Sequence, residues 1–142
     1  MKKTVLGALG ALLMLSACAS DATKCEAFKE VFKQNEVWFA TNEAELTPAS
    51  KKVLDKQIAW LKENPTKKII VQGYADPRGT AEYNMMLGQK RADAVKNYFV
   101  KSGINPNRVS VVSFGSTELA TTKNTAKGWA EDRRTVSVIV TE

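Results

Sequence analysis

The feature that most constrains this chain is an arginine on the apolar face of a predicted helix. Positions four residues apart share one face of a helix, and from residue 83 to residue 99 that face is apolar except at Arg91. A guanidinium on such a face is costly unless an anion meets it, and Asp76, in the loop before the helix, is the nearest candidate in sequence. Such a pair would either hold the structure together or bind a ligand with one amine and one carboxylate. The face comprises Tyr83, Leu87, Arg91, Val95 and Phe99.

The start of the chain has the pattern of an export signal. Two lysines precede an apolar run over residues 5–17, which is shorter than the roughly 20 residues that a membrane-spanning helix needs. Residues 1–17 are therefore predicted to be a signal peptide. The run ends in Leu15-Ser16-Ala17-Cys18, which resembles a bacterial lipobox. The alternative is a secreted protein in which this cysteine is incidental.

The lipobox resemblance implies that Cys18 becomes the first residue of the mature protein and carries N-acyl and S-diacylglycerol lipid. The residue directly after Cys18 is Ala19 and not an aspartate, which by the same resemblance favours the outer membrane over the inner one. Residues 18–35 would form a lipidated N-terminal tether, and residues with helical spacing near its end, Phe28, Val31 and Phe32, predict a short helix there.

The composition excludes several classes of chemistry. The 142 residues include 21 Lys and Arg, 15 Asp and Glu, and no histidine, so Ser-His and Cys-His nucleophile systems and the usual zinc ligand sets are excluded. The positive charge is mild and forms no block with interleaved aromatic residues, so nucleic acid is not indicated as a partner. With Cys18 lipidated, Cys25 would be a free thiol or would pair between two chains.

Periodicity and turn residues predict one domain over residues 36–142, with the element order βαβαββ. This order predicts an α/β two-layer sandwich, in which two main helices pack on one four-stranded mixed sheet. The apolar run at residues 69–71 predicts a strand buried on both faces, and residues 115–130 predict a long loop or a loop with one helical turn. The predicted strands lie at 37–40, 68–73, 108–113 and 135–140, and the predicted helices at 48–63, after Thr47, and from Thr80 to about Lys101.

Three polar residues converge where the second strand passes into the second helix. Asp76 follows the strand, Asn84 lies eight residues later, and Arg91 lies seven residues after Asn84, on the same helix face. The start of the helix adds free N–H groups that attract anions. One compact site would thus offer an anion for amines, and a cation with backbone donors for carboxylates.

This region resembles the peptidoglycan-binding domain of the OmpA-like family. The residues that carry the resemblance span nearly all of 37–140, and their joint spacing is specific. They are Gly73, Asp76, Gly79, Asn84, Leu87, Arg91, Ala92, Val95, Gly103, Arg108, Gly115, Arg133 and Arg134.

The resemblance implies a non-catalytic site for the diaminopimelate of the peptidoglycan stem peptide. Asp76 would meet the amine and Arg91 the carboxylate in fork geometry, while Asn84 and Arg133 would line the site. Tyr74 stands where the family usually has His, and Asp132 stands where Asn usually precedes the paired arginines. The Asp132 departure predicts an acid competing for Arg133.

The resulting hypothesis is a lipoprotein that faces the periplasm and tethers the outer membrane to peptidoglycan, with no cofactor or metal other than the lipid on Cys18. For lipid-anchored family members, the resemblance also implies a second partner, the periplasmic protein TolB, and a role in envelope integrity and cell division. A lipoprotein with this domain and a signalling or assembly role is the alternative. A wall hydrolase is disfavoured, because Glu43 with Glu45 is the only close acidic pair near a loop and is expected at a solvated helix entrance.

Overall fold

A computed structural model of the chain describes residues 28–121 and 123–140. The predicted signal peptide, Cys18 and Cys25 lie outside the described residues. The described residues 28–33 and those from 34 onward belong to two separate units. In the first, residues 28–32 are helical, as predicted, and the rings of Phe28 and Phe32 lie 5.2 Å apart.

The second unit contains the predicted α/β arrangement. One mixed sheet has the strand order β1-β4-β2-β3, in which β4 runs antiparallel to β1 and β2, while β2 and β3 are parallel. A parallel pair needs a long crossover connection, and helix α2 supplies it by packing on β2 and β3. The elements are β1 Glu36–Trp38, α1 Pro48–Glu63, β2 Ile69–Tyr74, α2 Ala81–Lys101, a 3-10 turn Pro106–Arg108, β3 Val109–Gly115, α3 Ala126–Asp132 and β4 Arg134–Ile139.

The two main helices begin at the predicted caps. The Thr47 hydroxyl accepts a hydrogen bond from the Ser50 N–H at 3.1 Å, and the Thr80 hydroxyl accepts one from the Tyr83 N–H at 3.1 Å. Each bond satisfies an N–H that a helix start leaves unpaired. The Thr80 cap matters for the site because it fixes the direction in which the loop after β2 enters α2.

Two details differ from the sequence prediction. Strand β2 is fully covered on one face only: Ile69 and Val71 are buried, whereas Ile70 and Gln72 are half-buried. The two-layer fold is the reason, since α2 covers a single face of the sheet. The region predicted as a loop with at most one helical turn contains the seven-residue helix α3, capped by Thr125. This helix is too short to show a hydrophobic period in the sequence, and Gly128 weakens the helical signal further.

Helix α2 approaches strand β2 closely enough for backbone to touch backbone. A Cβ placed on Gly73 would overlap the carbonyl oxygen of Gly88, and one placed on Gly88 would overlap the Ser113 hydroxyl. This contact brings the first turns of α2 against the carboxyl end of β2. It thereby sets the position of the intervening loop, residues 75–80.

Candidate functional site

The loop between β2 and α2 is organised by Asp76. One carboxylate oxygen, Oδ1, accepts hydrogen bonds from the Arg78 backbone N–H at 3.0 Å and from the Arg78 Nε at 3.2 Å. The other oxygen, Oδ2, accepts a bond from the Arg78 Nη2 at 2.9 Å. The turn is completed by Gly79 with φ of +91°, a backbone conformation that side chains disfavour. Asp76 is 8 % exposed and lies just beyond the carboxyl end of β2.

A second cation faces the same carboxylate. The Arg133 Nη1 lies 3.6 Å from Oδ2 of Asp76, and the Arg133 Nε donates to the Phe39 carbonyl at 2.9 Å. The single residue between α3 and β4 thus reaches the β2–α2 loop. Arg133 therefore lies next to Asp76 in space, although the two are far apart along the chain.

The charges around Asp76 keep its carboxyl group ionised. Burial alone would raise its pKa, but the hydrogen bonds from Arg78 and the charges of Arg78 and Arg133 outweigh that effect. The pKa of Asp76 therefore lies below its ordinary value. Asp76 therefore carries a negative charge at neutral pH.

Arg91 is fully buried, and its guanidinium is surrounded by backbone. Its Nε donates to the Glu43 carbonyl at 2.8 Å, its Nη1 to the Tyr74 carbonyl at 2.9 Å, and its Nη2 to the Ala40 carbonyl at 3.1 Å. The buried cation on the apolar face is therefore stabilised by the dipoles of carbonyl groups rather than by a direct ion pair. The expectation that Asp76 is the immediate partner of Arg91 is replaced by an interaction at longer range.

The pKa of Arg91 reflects that environment. The pKa of Arg91 is lowered to about 10: burial is the main cause and the charge of Arg133 adds to it, while the charge of Asp76 acts in the opposite direction. Arg91 is nevertheless protonated at neutral pH. It places a positive charge beneath the loop on which Asp76 stands.

A cleft of about 180 Å³ opens between the β2–α2 loop, the start of α2 and the segment after β1. Asn84 lines it, is 2 % exposed, and donates from Nδ2 to the Ser116 hydroxyl at 3.4 Å. The Tyr83 hydroxyl donates to Oδ1 of Asn42 at 3.2 Å across the rim. The lining residues are Thr41, Asn42, Asp76, Arg78, Gly79, Tyr83, Asn84 and Leu87.

The four predicted site residues thus occupy three different places. Asp76 and Asn84 lie in the cleft, Arg133 contacts Asp76 from the side, and Arg91 lies beneath and supports the cleft by binding the carbonyls of Ala40 and Glu43, on either side of Thr41 and Asn42. The fifth, Cys18, lies outside the described residues.

Sequence reasoning missed Arg78 and its neighbour Trp129. The Arg78 guanidinium carbon lies 4.2 Å from the centre of the Trp129 ring, while the same group binds both oxygens of Asp76. One signal was available: an aspartate two residues before an arginine, in a turn that contains Pro77 and Gly79, favours a side-chain bond to the second N–H along. No local signal pointed to Trp129, because α3 brings it from 51 residues away in sequence.

The expected competition of Asp132 for Arg133 is replaced by a different contact. Oδ1 of Asp132 accepts from the backbone N–H groups of Ala120 and Thr121, at 2.8 and 3.3 Å. The buried carboxylate therefore ties the loop before α3 to the end of that helix. It leaves Arg133 free to face Asp76.

The chemistry of the described residues around the cleft is that of charged and polar groups. Among residues 28–121 and 123–140, no cluster of three or more Cys, Asp or Glu side chains could hold a metal ion. In the same part of the chain, no helix is long and apolar enough to cross a membrane. What remains is an ionised carboxylate, three guanidinium groups and the capped start of a helix around one small cleft.

The fold and the cleft define a small two-layer α/β domain with a charged recess between a strand end and a helix start. The chain belongs to the OmpA family, whose sequence profile matches residues 38–133. It is similar to the peptidoglycan-associated lipoprotein of Pasteurella multocida (strain Pm70), at 34 % identity over 96 % of this chain and 98 % of that protein. It is also 36 % identical to the protein of that name from Haemophilus influenzae, over 73 % of this chain and 68 % of the relative.

Solved structures agree with this assignment. The crystal structure of the peptidoglycan-associated lipoprotein from Burkholderia pseudomallei superposes with a TM-score of 0.75 at 30 % identity, covering 78 % of this chain and 93 % of that one. The C-terminal domain of Helicobacter pylori MotB has a TM-score of 0.69 at 18 % identity over 75 % of this chain and 84 % of that one, and shares the fold. The predicted family and fold class are confirmed.

Proposed function

We propose that this protein is a lipid-anchored, non-enzymatic tether that binds peptidoglycan through the diaminopimelate of the stem peptide. The observation that carries the proposal is the ionised Asp76 carboxylate in a cleft of about 180 Å³. That volume is below the roughly 300–1,000 Å³ of sites for drug-sized ligands and suits the end of one amino-acid side chain. The names of the similar lipoproteins support peptidoglycan as the polymer that presents this end group.

The site residues are proposed with distinct parts. Asp76 attracts the ammonium group, and Asn84 and Arg133 border the bound end group. Arg91 contributes positive charge from beneath and holds the Ala40 and Glu43 carbonyls that fix one wall. A direct fork contact between the Arg91 guanidinium and the ligand's carboxylate stays a prediction. To make it, Arg91 would have to give up hydrogen bonds to those backbone carbonyls and donate to the ligand instead.

We expect Asp76→Asn to weaken binding to purified sacculi by at least about tenfold, because a charged partner of the ligand's amine is lost. Asparagine retains an oxygen for the Arg78 N–H, so the turn is expected to persist. Co-sedimentation of the purified full chain with sacculi, with circular dichroism as the folding check, measures this. Glu82→Gln, an exposed acid in the first turn of α2, is the matched control and should bind as the wild type does. Undiminished sedimentation of folded Asp76→Asn protein would refute the proposed site.

The other end of the tether is proposed to be the lipid on Cys18, which would place the domain on the periplasmic side of the outer membrane. Two or more acyl chains anchor stably where one gives only reversible attachment. The anchor and the cleft would then act together through effective concentration. By the same likeness, TolB is proposed as the periplasmic partner, in a Tol-Pal system that serves envelope integrity and cell division.

Cys18→Ser is expected to remove both the lipid and the membrane attachment. Labelling cells with radioactive palmitate and separating membranes from soluble protein measures both. Cys25→Ser is the matched control and should remain labelled and membrane-bound. Retention of label or of membrane fractionation in the Cys18→Ser variant would contradict the anchor assignment.

A further inference from the structure

We propose that Arg78 occupies Asp76 while the cleft is empty, and that it exchanges this carboxylate for the carboxylate of the incoming ligand. The site would then select end groups that carry an amine and a carboxylate on the same carbon. This inference rests on the proposed function and assigns the selectivity of the site to a residue that the sequence pattern did not single out.

The first observation is that Arg78 engages both carboxylate oxygens of Asp76. Nε and Nη2 of Arg78 bond to Oδ1 and Oδ2 at 3.2 and 2.9 Å, in the two-pronged geometry typical of strong guanidinium–carboxylate pairs. Because this fork engages both oxygens, an ammonium group that approaches Asp76 through the cleft competes with the Arg78 guanidinium for them.

The second observation is that Arg78 is the most easily moved of the three arginines around the site. Its side chain is 41 % exposed, against 15 % for Arg133, and Arg91 is fully buried. Arg133 is also held by the Phe39 carbonyl at 2.9 Å. Apart from Asp76, Arg78 contacts the Thr41 hydroxyl at 3.3 Å and the face of Trp129. These partners leave the guanidinium supported by the ring, but able to turn away from Asp76.

The third observation is that the turn does not depend on the Arg78 side chain. The Arg78 backbone N–H bonds to Oδ1 of Asp76 at 3.0 Å, and the Thr80 cap holds the start of α2. The side chain can therefore change partner while the backbone of the loop, and with it the direction of Asp76, stays in place.

Charge balance explains how this arrangement selects one kind of ligand end group over another. A ligand that offers only an amine displaces Arg78 and leaves its guanidinium without an anion. A ligand whose amine and carboxylate share a carbon supplies one charge of each sign, so both Asp76 and Arg78 end with a partner. Diaminopimelate and lysine differ in this respect, because lysine lacks the carboxylate beside its terminal amine. Stem peptides that contain one or the other isolate the effect.

Calorimetric titration of the purified full chain in detergent with two tripeptides, L-Ala-γ-D-Glu-meso-diaminopimelate and L-Ala-γ-D-Glu-L-Lys, tests the inference. We expect the wild type to prefer the diaminopimelate peptide by about tenfold or more, as for one charge-assisted pair. Arg78→Met should reduce that preference to within about threefold, by weakening the diaminopimelate peptide and leaving the lysine peptide equal or stronger. Arg78→Lys, which keeps the charge without the fork, should fall between the two.

The controls separate the possible outcomes. Lys127→Met removes an exposed cation from α3 and should keep the wild-type preference. An unchanged preference in Arg78→Met, or a parallel loss for both peptides, would overturn the inference and leave the proposed function intact. Failure of the wild type to bind the diaminopimelate peptide would overturn both. If Arg78→Met does not fold, a full wild-type preference in Arg78→Lys would overturn the inference.

Discussion

Arg91→Met is expected to lower the free energy of unfolding by at least about 3 kcal/mol, which is a large share of the roughly 5–15 kcal/mol typical of a domain. Methionine keeps the length of the buried stem but leaves the carbonyls of Ala40, Glu43 and Tyr74 without the donors that now satisfy them. Each hydrogen bond from a charged group contributes about 1.5–3 kcal/mol, and orphaned buried carbonyls add a further cost. Urea unfolding followed by circular dichroism measures the change.

Two companion variants sharpen the Arg91 test. Arg91→Lys retains the charge, but a single ammonium group lacks the planar fork that reaches three separate carbonyls, so we expect most of the stability loss to remain. Lys90→Met, on the solvent side of the same helix, should change stability little. A stable Arg91→Met protein would show that the carbonyls are satisfied in another way.

Gly73→Ala is expected to destabilise the domain by about 3 kcal/mol or more, and to disturb the site as a consequence. The added methyl would overlap the Gly88 carbonyl, which is backbone and cannot rotate away. Overpacking of a filled interior typically costs about 1–3 kcal/mol, and a clash with backbone lies at the upper end of that range or beyond. Helix α2 must shift away from β2, and it carries Asn84 and Arg91 with it.

Thermal unfolding of the Gly73→Ala protein, together with its binding to sacculi, measures both effects. Ser110→Ala is the control in the neighbouring strand, where the side chain is exposed and no helix packs against it. A wild-type melting temperature for Gly73→Ala would contradict the close helix–strand contact.

The elements of the fold were predictable because their signals are local. Thr47 with Pro48 and the cap at Thr80 mark the starts of the two main helices, and β-branched runs mark the inner strands. The short helix α3 and the one-sided burial of β2 were not predictable in this way. Both depend on how the helices and the sheet pack in the complete fold, and a short segment of sequence does not contain that information.

The composition of the candidate site was predictable in part. Arg91 stood out as a charge on an apolar face, and its burial follows from that position. Its actual partners could not be predicted from the sequence. Every residue carries a backbone carbonyl, so the residue type does not show which carbonyls bind Arg91, whereas an aspartate is visible as a candidate anion. The prediction therefore chose Asp76, which in the structure is satisfied by Arg78 and Arg133. Residue types can indicate that a buried cation needs partners, but only the chain path decides which atoms supply them.

The three carbonyls bound by Arg91 also set an order of events. They lie 17, 48 and 51 residues from the arginine along the chain, so the bonds form only after the first loop, the second strand and the long helix have met. Closing loops of this length costs chain entropy. The bonds that shape this wall of the cleft therefore depend on the assembled domain rather than on any one of its elements. Conversely, any molecule that fills the recess favours the assembled domain as a whole, so that occupancy and folding rise together.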